Sequence, residues 1–364
     1  MKITGIRTGI VKLPVAALRG MVAGDPAWPV VWLRVETDAG IEGIGVSFFG
    51  EVLTRALQQA IDDLGALLIG DDPLRVEAIA KKLHGAAGNS AGPGGISMLA
   101  VSALDIAMWD IKGKALGLPL WKLLGGARDR VPAYASGDLM RGLGLDEVVE
   151  AASALKARGW REMKTQLALI GATTPAIEID RVRRIRDAIG PDIRLMCDIN
   201  QRWRPEQAID MGRRIENAGV GLAWLEDVTV HDDFAGLARV TRALATPVAG
   251  GEYVWGIVPF RQMLDAHSVD IVMIDLVRVG GITQWMKVAG MAEAFNLPVV
   301  SHMIPEIHVH LVAAVPNGLT VEYIPWLTPM FKAVPLPDMG ELVLPETPGL
   351  GLEFDQAALD RYRA

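Results

Sequence analysis

The second half of the chain alternates between short apolar stretches and amphipathic stretches, and this rhythm constrains the fold more than any other feature. Eight apolar stretches have the length of strands, and they span 131–136, 161–166, 193–198, 222–226, 247–251, 270–274, 298–301 and 320–323. The sequence between them has helical periodicity, as in DEVVEAASALKARG and PAIEIDRVRRIRDAIG. Eight strands alternating with helices predict a parallel barrel, although this count alone does not exclude an open doubly wound sheet.

The first part of the chain has strands first and helices afterwards. Alternating segments at 2–13, 29–37 and 41–48 predict a small antiparallel sheet, and residues 51–118 are mostly helical. This order predicts an α+β unit. The glycine-rich stretch GAAGNSAGPGG (85–95) predicts a loop between two of its helices.

Composition excludes several classes of protein. Hydrophobic residues make up 51% of the 364 residues and charged residues 22%, which predicts a large folded core. The net charge is −7 and there is no block of basic residues, so neither nucleic acid nor a membrane is expected as a partner. Cys197 is the only cysteine, which excludes an intrachain disulfide and a thiolate metal cluster. No apolar run reaches the roughly 18 residues of a membrane helix, and MKITGIRTGIVKL lacks the features of a signal peptide, so we expect a cytoplasmic protein.

Three successive strands of the predicted barrel end in acids. LMCDIN gives Asp198, AWLED gives Glu226 and VAGGE gives Glu252, at steps of 28 and 26 residues. Neighbouring strands lie about 4.8 Å apart, so the three carboxylates would converge and raise one another's pKa values. A hard divalent cation resolves this repulsion, and an all-oxygen set indicates Mg²⁺ rather than zinc. The alternative is that each acid caps the helix that follows it.

The remaining strands also end in reactive groups, namely Lys164, Asp275, His302 and Glu322. A buried aspartate one strand away from a histidine orients the imidazole and raises its basicity. We therefore interpret Asp275 and His302 as a functional pair, although a lone histidine on an apolar strand is often a core residue. His308 and His310, in EIHVHLVAA, are expected to pack or to cap the following helix.

Common catalytic motifs are missing from the sequence. There is no HExxH, CxxC, GxSxG or P-loop pattern. The glycine pair at 280–281 follows a strand but does not extend to GxGxxG, so a dinucleotide site is unsupported.

Taken together, these motifs resemble those of the mandelate racemase subgroup of the enolase superfamily, and the resemblance covers essentially the whole chain. LDIAMWDIKGKALGLPLWKLLGG is similar to the helical signature that precedes the barrel in that subgroup. MCDINQRW, WLEDVTVHDD and GGEYVWG are similar to its three metal-ligand segments, and DLVRVGGITQW with SHMIPEIHVHLVAAVPN is similar to its Asp–His region. Asp275 and His302 are 27 residues apart and Glu322 lies 20 further on, a spacing similar to the family's.

The resemblance implies an α/β fold with three parts. These are an N-terminal α+β capping domain over 1–127, a modified TIM barrel of the (β/α)₇β type over 128–325, and a C-terminal segment over 326–364 that returns to the cap. It also implies one Mg²⁺ per subunit on Asp198, Glu226 and Glu252, and a homo-oligomer such as an octamer or another even assembly. The reaction would begin with removal of the proton α to a carboxylate of a small-molecule substrate.

Each polar residue then receives an expected role. Mg²⁺ and Lys164 would stabilise the enediolate that forms when the carbon acid ionises. Glu322, protonated in its anionic surroundings, would donate a hydrogen bond to the substrate, and His302 would remove the proton with its tautomer fixed by Asp275. Asn200 would contact the α-hydroxyl or Glu322, or else be an ordinary turn asparagine.

The stretch GWREMKTQ (159–166) departs from the racemases of this family. They carry Lys-x-Lys here, and their second lysine is a base opposite the histidine, whereas this chain has Lys164 followed by Gln166. An amide does not accept a proton at neutral pH, so a one-base reaction remains. His302 would take the α-proton and protonate a departing β-hydroxyl on the same face. We therefore predict a Mg²⁺-dependent dehydratase of an aldonate or aldarate that forms a 2-keto-3-deoxy acid, with Gln166 binding a substrate hydroxyl.

Two other functions remain open at this point. One is a racemase or epimerase that pairs His302 with an unrecognised second acid. The other is a catalytically silent binding protein on the same fold, disfavoured by the intact set of polar residues. Within the cap loop, Arg19 would bind a distal hydroxyl or a second carboxylate, or else be a solvated arginine.

Overall fold

The computed structural model describes residues 1–15, 26–50, 52–171 and 173–364. The cap begins with an antiparallel sheet of β1 (Ile3–Pro14), β2 (Ala27–Thr37) and β3 (Glu42–Ser47), in that order. Helices α1 (Thr54–Ala66), α2 (Val76–Ala91), α3 (Ile96–Leu116) and the short α4 (Leu120–Leu123) follow. These elements confirm the predicted order of strands and then helices.

Helix α3 packs closely on the sheet because two glycines of β3 have no side chain. A Cβ at Gly45 would lie 2.1 Å from the carbonyl oxygen of Ala103, and one at Gly43 would lie 2.3 Å from that of Ala107. The helix is buried over most of its length, which agrees with its apolar sequence on nearly every face. This contact fixes the cap sheet against the helix that also contacts the barrel.

The prediction of a loop over 85–95 is wrong for its first part. Helix α2 continues to Ala91, because Ile79, Leu83 and Ala87 recur at helical spacing and bury one face. The turn into α3 takes only residues 92–95, where Gly92 (φ 87°) and Gly95 (φ 64°) adopt conformations that favour glycine.

The barrel consists of eight parallel strands, and each overlaps a predicted one. They are β4 (Arg130–Leu139), β5 (Glu162–Gln166), β6 (Arg194–Asp198), β7 (Trp224–Glu226), β8 (Val248–Gly250), β9 (Ile271–Asp275), β10 (Val299–His302) and β11 (Val321–Tyr323). Strands β4 to β10 pair in order, and β11 pairs with the other edge of β4. The ring closes where the amide of Leu319 donates to the carbonyl of Val299 in β10 (2.9 Å). An open doubly wound sheet is thereby excluded.

Helices cover the outside of the barrel. They are α5 (Leu145–Ala157), α6 (Pro175–Ile189), α7 (Pro205–Asn217), α8 (Phe234–Ala243), α9 (Ile257–Asp265), α10 (Leu276–Val279), α11 (Ile282–Ala294) and α12 (Pro305–Ala314). A separate apolar cluster drawn almost entirely from the strands includes Tyr134 and Trp224, whose rings meet edge to face with centroids 5.5 Å apart. Side chains from alternating strand positions thus fill the barrel beneath the strand ends.

The last part of the chain joins the barrel to the cap. A hairpin of β12 (Pro337–Asp338) and β13 (Glu341–Val343) pairs antiparallel with β4, an extension that the sequence pattern did not indicate. After α13 (Gln356–Arg361), the amide of Ala364 donates to the carbonyl of Ile10 (3.1 Å), and Lys12 donates its amide to Tyr362 (2.8 Å). No helix in the described ranges is long and apolar enough to cross a membrane.

Candidate active site

The carboxyl ends of the barrel strands open into a cavity of about 220 Å³. Trp28 and Phe49 contribute to it from the cap, and the barrel contributes the rest of the lining. Among the barrel residues are the predicted Lys164, Gln166, Asp198, Asn200, Glu252, His302 and Glu322. This end of the barrel is where strand-end side chains converge in such folds. Arg19 of the cap loop lies outside the described residues.

The three predicted metal ligands lie at adjacent strand ends and are almost fully buried. Asp198 and Glu226 are register partners on β6 and β7, and Glu252 lies two residues after the end of β8. Their exposed fractions are 3%, 0% and 3%. Burial raises the pKa of Glu226 to about 7 and that of Glu252 well above its usual range.

A fourth buried carboxylate, which the sequence reasoning did not single out, follows Glu226 directly. Oδ2 of Asp227 is buried without a hydrogen-bond partner, and burial together with the charge of Glu226 raises the pKa of Asp227 well above its ordinary value. Its only sequence signal is the doublet ED in WLEDV. Four buried acids therefore lie at or just beyond the ends of β6, β7 and β8.

The carboxylates are engaged by protein groups rather than gathered around a point. In the described ranges, no group of three or more His, Cys, Asp or Glu side chains has an arrangement that could hold a metal ion. Glu226 bonds Lys164 and Trp224, Glu252 contacts His302 Nε2 (3.3 Å), and Asp198 accepts from the amide of Asn200. The donor chemistry, which consists of buried carboxylate oxygens, fits Mg²⁺. The side chains would have to turn from these partners to coordinate it.

Lys164 lies at the centre of the polar groups. Its Nζ contacts Oε1 of Glu226 (2.5 Å) and Oε1 of Glu322 (2.7 Å), and it stands 5.4 Å from the centre of the Tyr134 ring. Burial opposes the charged form, but the two carboxylates outweigh burial and raise the pKa of Lys164 well above its ordinary value. The residue is therefore a fixed cation.

The expectation that Glu322 is protonated is wrong for this arrangement. Burial favours the neutral acid, but Lys164 and His302 outweigh burial and lower the pKa of Glu322 to about 2. Its oxygens also accept from the Ser136 hydroxyl (2.7 Å) and the amide of Met303 (2.6 Å). Ionised Glu322 accepts hydrogen bonds and cannot donate one.

His302 and Asp275 are register partners at the ends of β10 and β9. Nδ1 of His302 lies 2.6 Å from Oδ2 of Asp275, so this nitrogen carries the proton and Nε2 faces the cavity. The other oxygen of Asp275 accepts from the amides of Val277 (2.9 Å) and Arg278 (2.7 Å) and caps α10. Burial opposes the charged imidazole, but Glu252 and Asp275 raise the pKa of His302 to about 9.

Gln166 and Asn200 are joined by a residue that the sequence did not reveal. Arg141, which follows β4, donates to Oε1 of Gln166 from its backbone amide and from Nε (both 3.2 Å), and its Nη2 donates to Oδ1 of Asn200. Gln166 donates to Asp198 (3.3 Å) and to Asn200 (3.0 Å). The predicted role of Gln166 as a hydroxyl binder is thus in competition with four protein contacts.

Arg278 is a second arginine that the sequence did not single out. Its guanidinium lies 3.9 Å from the centre of the Phe49 ring and 4.5 Å from that of Tyr253, and it donates to the carbonyl of Glu252 (2.9 Å). Within the described part of the chain, no carboxylate lies within salt-bridge distance of it. It lines the cavity, which makes it a cation in place for an anionic group.

His308 and His310 pack in the core, as the sequence reasoning expected. Both are fully buried, and burial lowers the pKa of each to about 4. Nδ1 of His310 accepts from the amide of Trp121 (3.2 Å), and its Nε2 donates to the carbonyl of Leu350 (3.0 Å).

Comparison with known proteins gives consistent matches. Residues 12–125 match the family model "Mandelate racemase / muconate lactonizing enzyme, N-terminal domain", and residues 147–358 match "Enolase C-terminal domain-like". The chain is 32% identical over 330 residues to L-talarate/galactarate dehydratase from Salmonella typhimurium (90% of this chain, 81% of the relative). It is 33% identical over 390 residues to D-galactarolactone cycloisomerase from Agrobacterium fabrum (100% and 99%). The crystal structure of L-talarate dehydratase from Polaromonas sp. JS666 with Mg and L-glucarate superposes with a TM-score of 0.91 at 32% identity, covering 100% of this chain and 97% of that one.

Proposed function

Because this chain belongs to the mandelate racemase/muconate lactonizing enzyme subgroup of the enolase superfamily, we propose that it is a Mg²⁺-dependent dehydratase of a sugar acid. The observation that carries the proposal is the asymmetry of the cavity. His302, held by Asp275 at 2.6 Å, is a base on one wall. Asn200 lies opposite it in the ring, after β6, and Gln166 at the end of β5 and Arg141 contact Asn200. None of the three can accept a proton at neutral pH.

Removal of the α-proton is difficult because a second negative charge develops on the substrate carboxylate. Mg²⁺ bound by Asp198, Glu226 and Glu252 would supply positive charge for those oxygens. Lys164, a buried cation between Glu226 (2.5 Å) and Glu322 (2.7 Å), would bind the same carboxylate. In this role, the ammonium group of Lys164 would give up its contact with a protein carboxylate and bind the substrate carboxylate instead.

A single histidine can complete the reaction. The contact with Glu252 (3.3 Å) helps to raise the pKa of His302 to about 9, so Nε2 must first leave that contact and lose its proton to solvent. Neutral Nε2 then takes the proton from C2 of the substrate. The same proton is then given to the hydroxyl on C3 as the C3–O bond breaks, and water departs. The resulting enol tautomerises to a 2-keto-3-deoxy acid. Ionised Glu322 would accept a hydrogen bond from a substrate hydroxyl, and Asn200 would donate one to the oxygen on C2.

Three features support a sugar acid as the substrate. The cavity of about 220 Å³ is polar on the barrel side and has two cations, Lys164 and Arg278. Arg278 would bind a second carboxylate in an aldarate or a distal hydroxyl in an aldonate. The similar protein from Polaromonas carries L-glucarate and Mg in its crystal structure.

The test is a screen of aldonates and aldarates with the purified protein and Mg²⁺. We expect at least one acid to yield a 2-keto-3-deoxy product, detected as its semicarbazone, and the activity to disappear with EDTA and return with Mg²⁺. An active substrate that only epimerises at C2, with solvent deuterium incorporated and the configuration inverted, would contradict the proposal and favour a racemase.

A lactone cycloisomerase is the second candidate, favoured by the 33% identity to the Agrobacterium fabrum protein. The same proton removal followed by expulsion of a ring oxygen would isomerise a lactone without release of water. Mass spectrometry separates the two reactions, because dehydration lowers the mass of the substrate by one water and isomerisation leaves it unchanged.

The cytoplasmic location and the even homo-oligomer also belong to the proposal. Light scattering during gel filtration tests the assembly, and a monomer would contradict it.

A further inference from the structure

Arg141 is a buried arginine just outside the cavity whose contacts all point toward the site. It follows the end of β4 and is 4% exposed. Its backbone amide and Nε both donate to Oε1 of Gln166 at 3.2 Å, and its Nη2 donates to Oδ1 of Asn200. Its Nη1 is buried without a partner, so no carboxylate in the described residues neutralises it at short range.

A guanidinium has only donors, so it decides which way a neighbouring amide points. The oxygen of Gln166 must face Arg141, and Nε2 of Gln166 then faces Oδ2 of Asp198 (3.3 Å) and Oδ1 of Asn200 (3.0 Å). The oxygen of Asn200 must likewise face Arg141. Nδ2 of Asn200 is left as the part of this amide that is free for the cavity, which Asn200 lines.

Strand order places this group of residues opposite the proposed base. Asn200 follows β6, and His302 ends β10, so four strand positions separate them in a ring of eight. Residues of β6 and β10 therefore face each other across the cavity. On the side of the cavity that faces His302, Nδ2 of Asn200 is therefore a hydrogen-bond donor that is oriented toward the cavity.

We propose that Arg141 is a positioning residue that holds the amides of Gln166 and Asn200 in one orientation, so that Nδ2 of Asn200 offers an N–H donor to an oxygen of the substrate. The inference rests on the proposed sugar-acid chemistry for the identity of that oxygen, the hydroxyl on C2. It also gives a reason for the glutamine at 166. A lysine there would bring its ammonium group against a guanidinium that lies 3.2 Å from the present amide oxygen.

The test uses two small acids that differ by one α-hydroxyl, tartronate and malonate, with binding to the Mg²⁺-loaded protein measured by calorimetry. The variants are Arg141→Met, Asn200→Ala and the double change. Each single change is expected to weaken tartronate binding about five- to tenfold, which corresponds to one hydrogen bond, and to leave malonate binding within about twofold. Because Arg141 acts through Asn200, the double variant should be no weaker than the single ones. Arg141→Lys keeps the charge but not the planar fork, so it should recover only part of the affinity.

Arg181 provides the matched control. It is also buried (1% exposed), and it supports the same segment by donating to the carbonyls of Met140 and Leu143 (both 2.8 Å), but it does not contact either amide. Arg181→Met should leave the preference for tartronate over malonate unchanged.

Four results would overturn the proposal. They are multiplied effects in the double variant, equal losses for the two acids, the same loss of preference in Arg181→Met, or no preference for tartronate in the unaltered protein. None of these measurements requires turnover. If no sugar acid is dehydrated, the proposed function fails while the role of Arg141 is still decided by binding.

Discussion

At the scale of single residues, the site combines side chains that the sequence predicts with side chains that it does not predict. The sequence pattern predicts the residues that end an apolar strand of the repeat, namely the three acids, Lys164, Asp275 and His302. Arg141 was not predicted, because its partners lie 25 and 59 residues further along the chain and meet it only through the order of β4, β5 and β6. The protonation of Glu322 was predicted wrongly because its contact with Lys164 (2.7 Å) depends on side-chain geometry that no sequence pattern encodes.

The one-base mechanism makes a direct prediction for His302. His302→Asn should lower kcat and the rate of deuterium exchange at C2 by about 10²–10⁴-fold, because the proposed mechanism assigns no other described residue as the base for that proton. NMR of substrate recovered from D₂O provides the measurement, and circular dichroism checks that the variant is folded. Exchange at the unaltered rate would mean that another residue removes the proton.

Gln166 permits a complementary prediction. Gln166→Ala should retain part of the turnover, because the amide is not a base, while it weakens binding through loss of the contacts to Asp198 and Asn200. Gln166→Lys restores the Lys-x-Lys pattern but places a cation beside Arg141, so we expect lower activity and no inversion at C2. Polarimetry and NMR in D₂O follow both outcomes. Appearance of the C2 epimer in Gln166→Lys would contradict this account of Arg141.

At the scale of elements, strands and helices were predicted well where periodicity is strong and poorly where long-range pairing decides. The strands of the barrel were recognisable because each is an apolar run bounded by turns. Strand β13 is only three residues long and pairs with β4, more than 200 residues earlier in the chain, so no local sequence pattern predicts it. Helix α2 extends beyond its predicted end because burial of Leu83 and Ala87 outweighs the cost of Gly85 and Gly88 within the helix.

His310 connects two helices and a loop segment, and its burial gives a prediction for the pH dependence of stability. Helix α12 carries it, and its ring bonds the amide of Trp121 in α4 and the carbonyl of Leu350. Its pKa is about 4 in the folded protein against 6.5 for the free side chain, because burial disfavours the charge. The unfolded chain therefore binds the proton first as the pH falls. The contribution of His310 to stability is complete above pH 6.5 and is lost progressively down to about pH 4.

His310→Gln removes that titration while keeping a donor for Leu350. The variant should be less stable than the unaltered protein by about 1–3 kcal/mol at pH 7.5, because an amide of Trp121 loses its acceptor. The difference should shrink by up to about 3 kcal/mol, or change sign, as the pH approaches 4. Urea unfolding at a series of pH values measures it. His308 titrates equally in both proteins and cancels. A difference independent of pH would show that His310 does not titrate on unfolding.

At the scale of the whole molecule, the cavity exists only where the cap meets the barrel. Trp28 and Phe49 come from the cap, and the strand ends with the predicted site residues come from the barrel. A buried joint between α3 and α11 holds the two together: Asp105 accepts from the amide (2.9 Å) and the hydroxyl (2.6 Å) of Thr283. Substitutions that disturb the contact between Asp105 and Thr283 should therefore weaken substrate binding as well as lower stability.

Gly281, just before Thr283, tests that coupling. It has φ 86°, and a Cβ there would lie 2.5 Å from Oδ2 of Asp105. Gly281→Ala should cost at least about 1–2 kcal/mol of unfolding free energy from backbone strain and raise KM with a smaller effect on kcat. Gly290→Ala in α11 is the control, since its Cβ would meet nothing within 4 Å and alanine favours the helix. Equal stability and equal KM for the two variants would contradict a coupled joint.

The contact of residues 362–364 with β1 also affects the order in which the molecule can be built. Strand β1 lies near the start of the chain, yet its residues Ile10 and Lys12 obtain hydrogen bonds from a segment made some 350 residues later. During synthesis, these two hydrogen bonds of β1 can form only after the whole barrel has been made. We expect the barrel, although it is second in sequence, to be the part that completes first, and the cap to be finished only after residues 362–364 have been made.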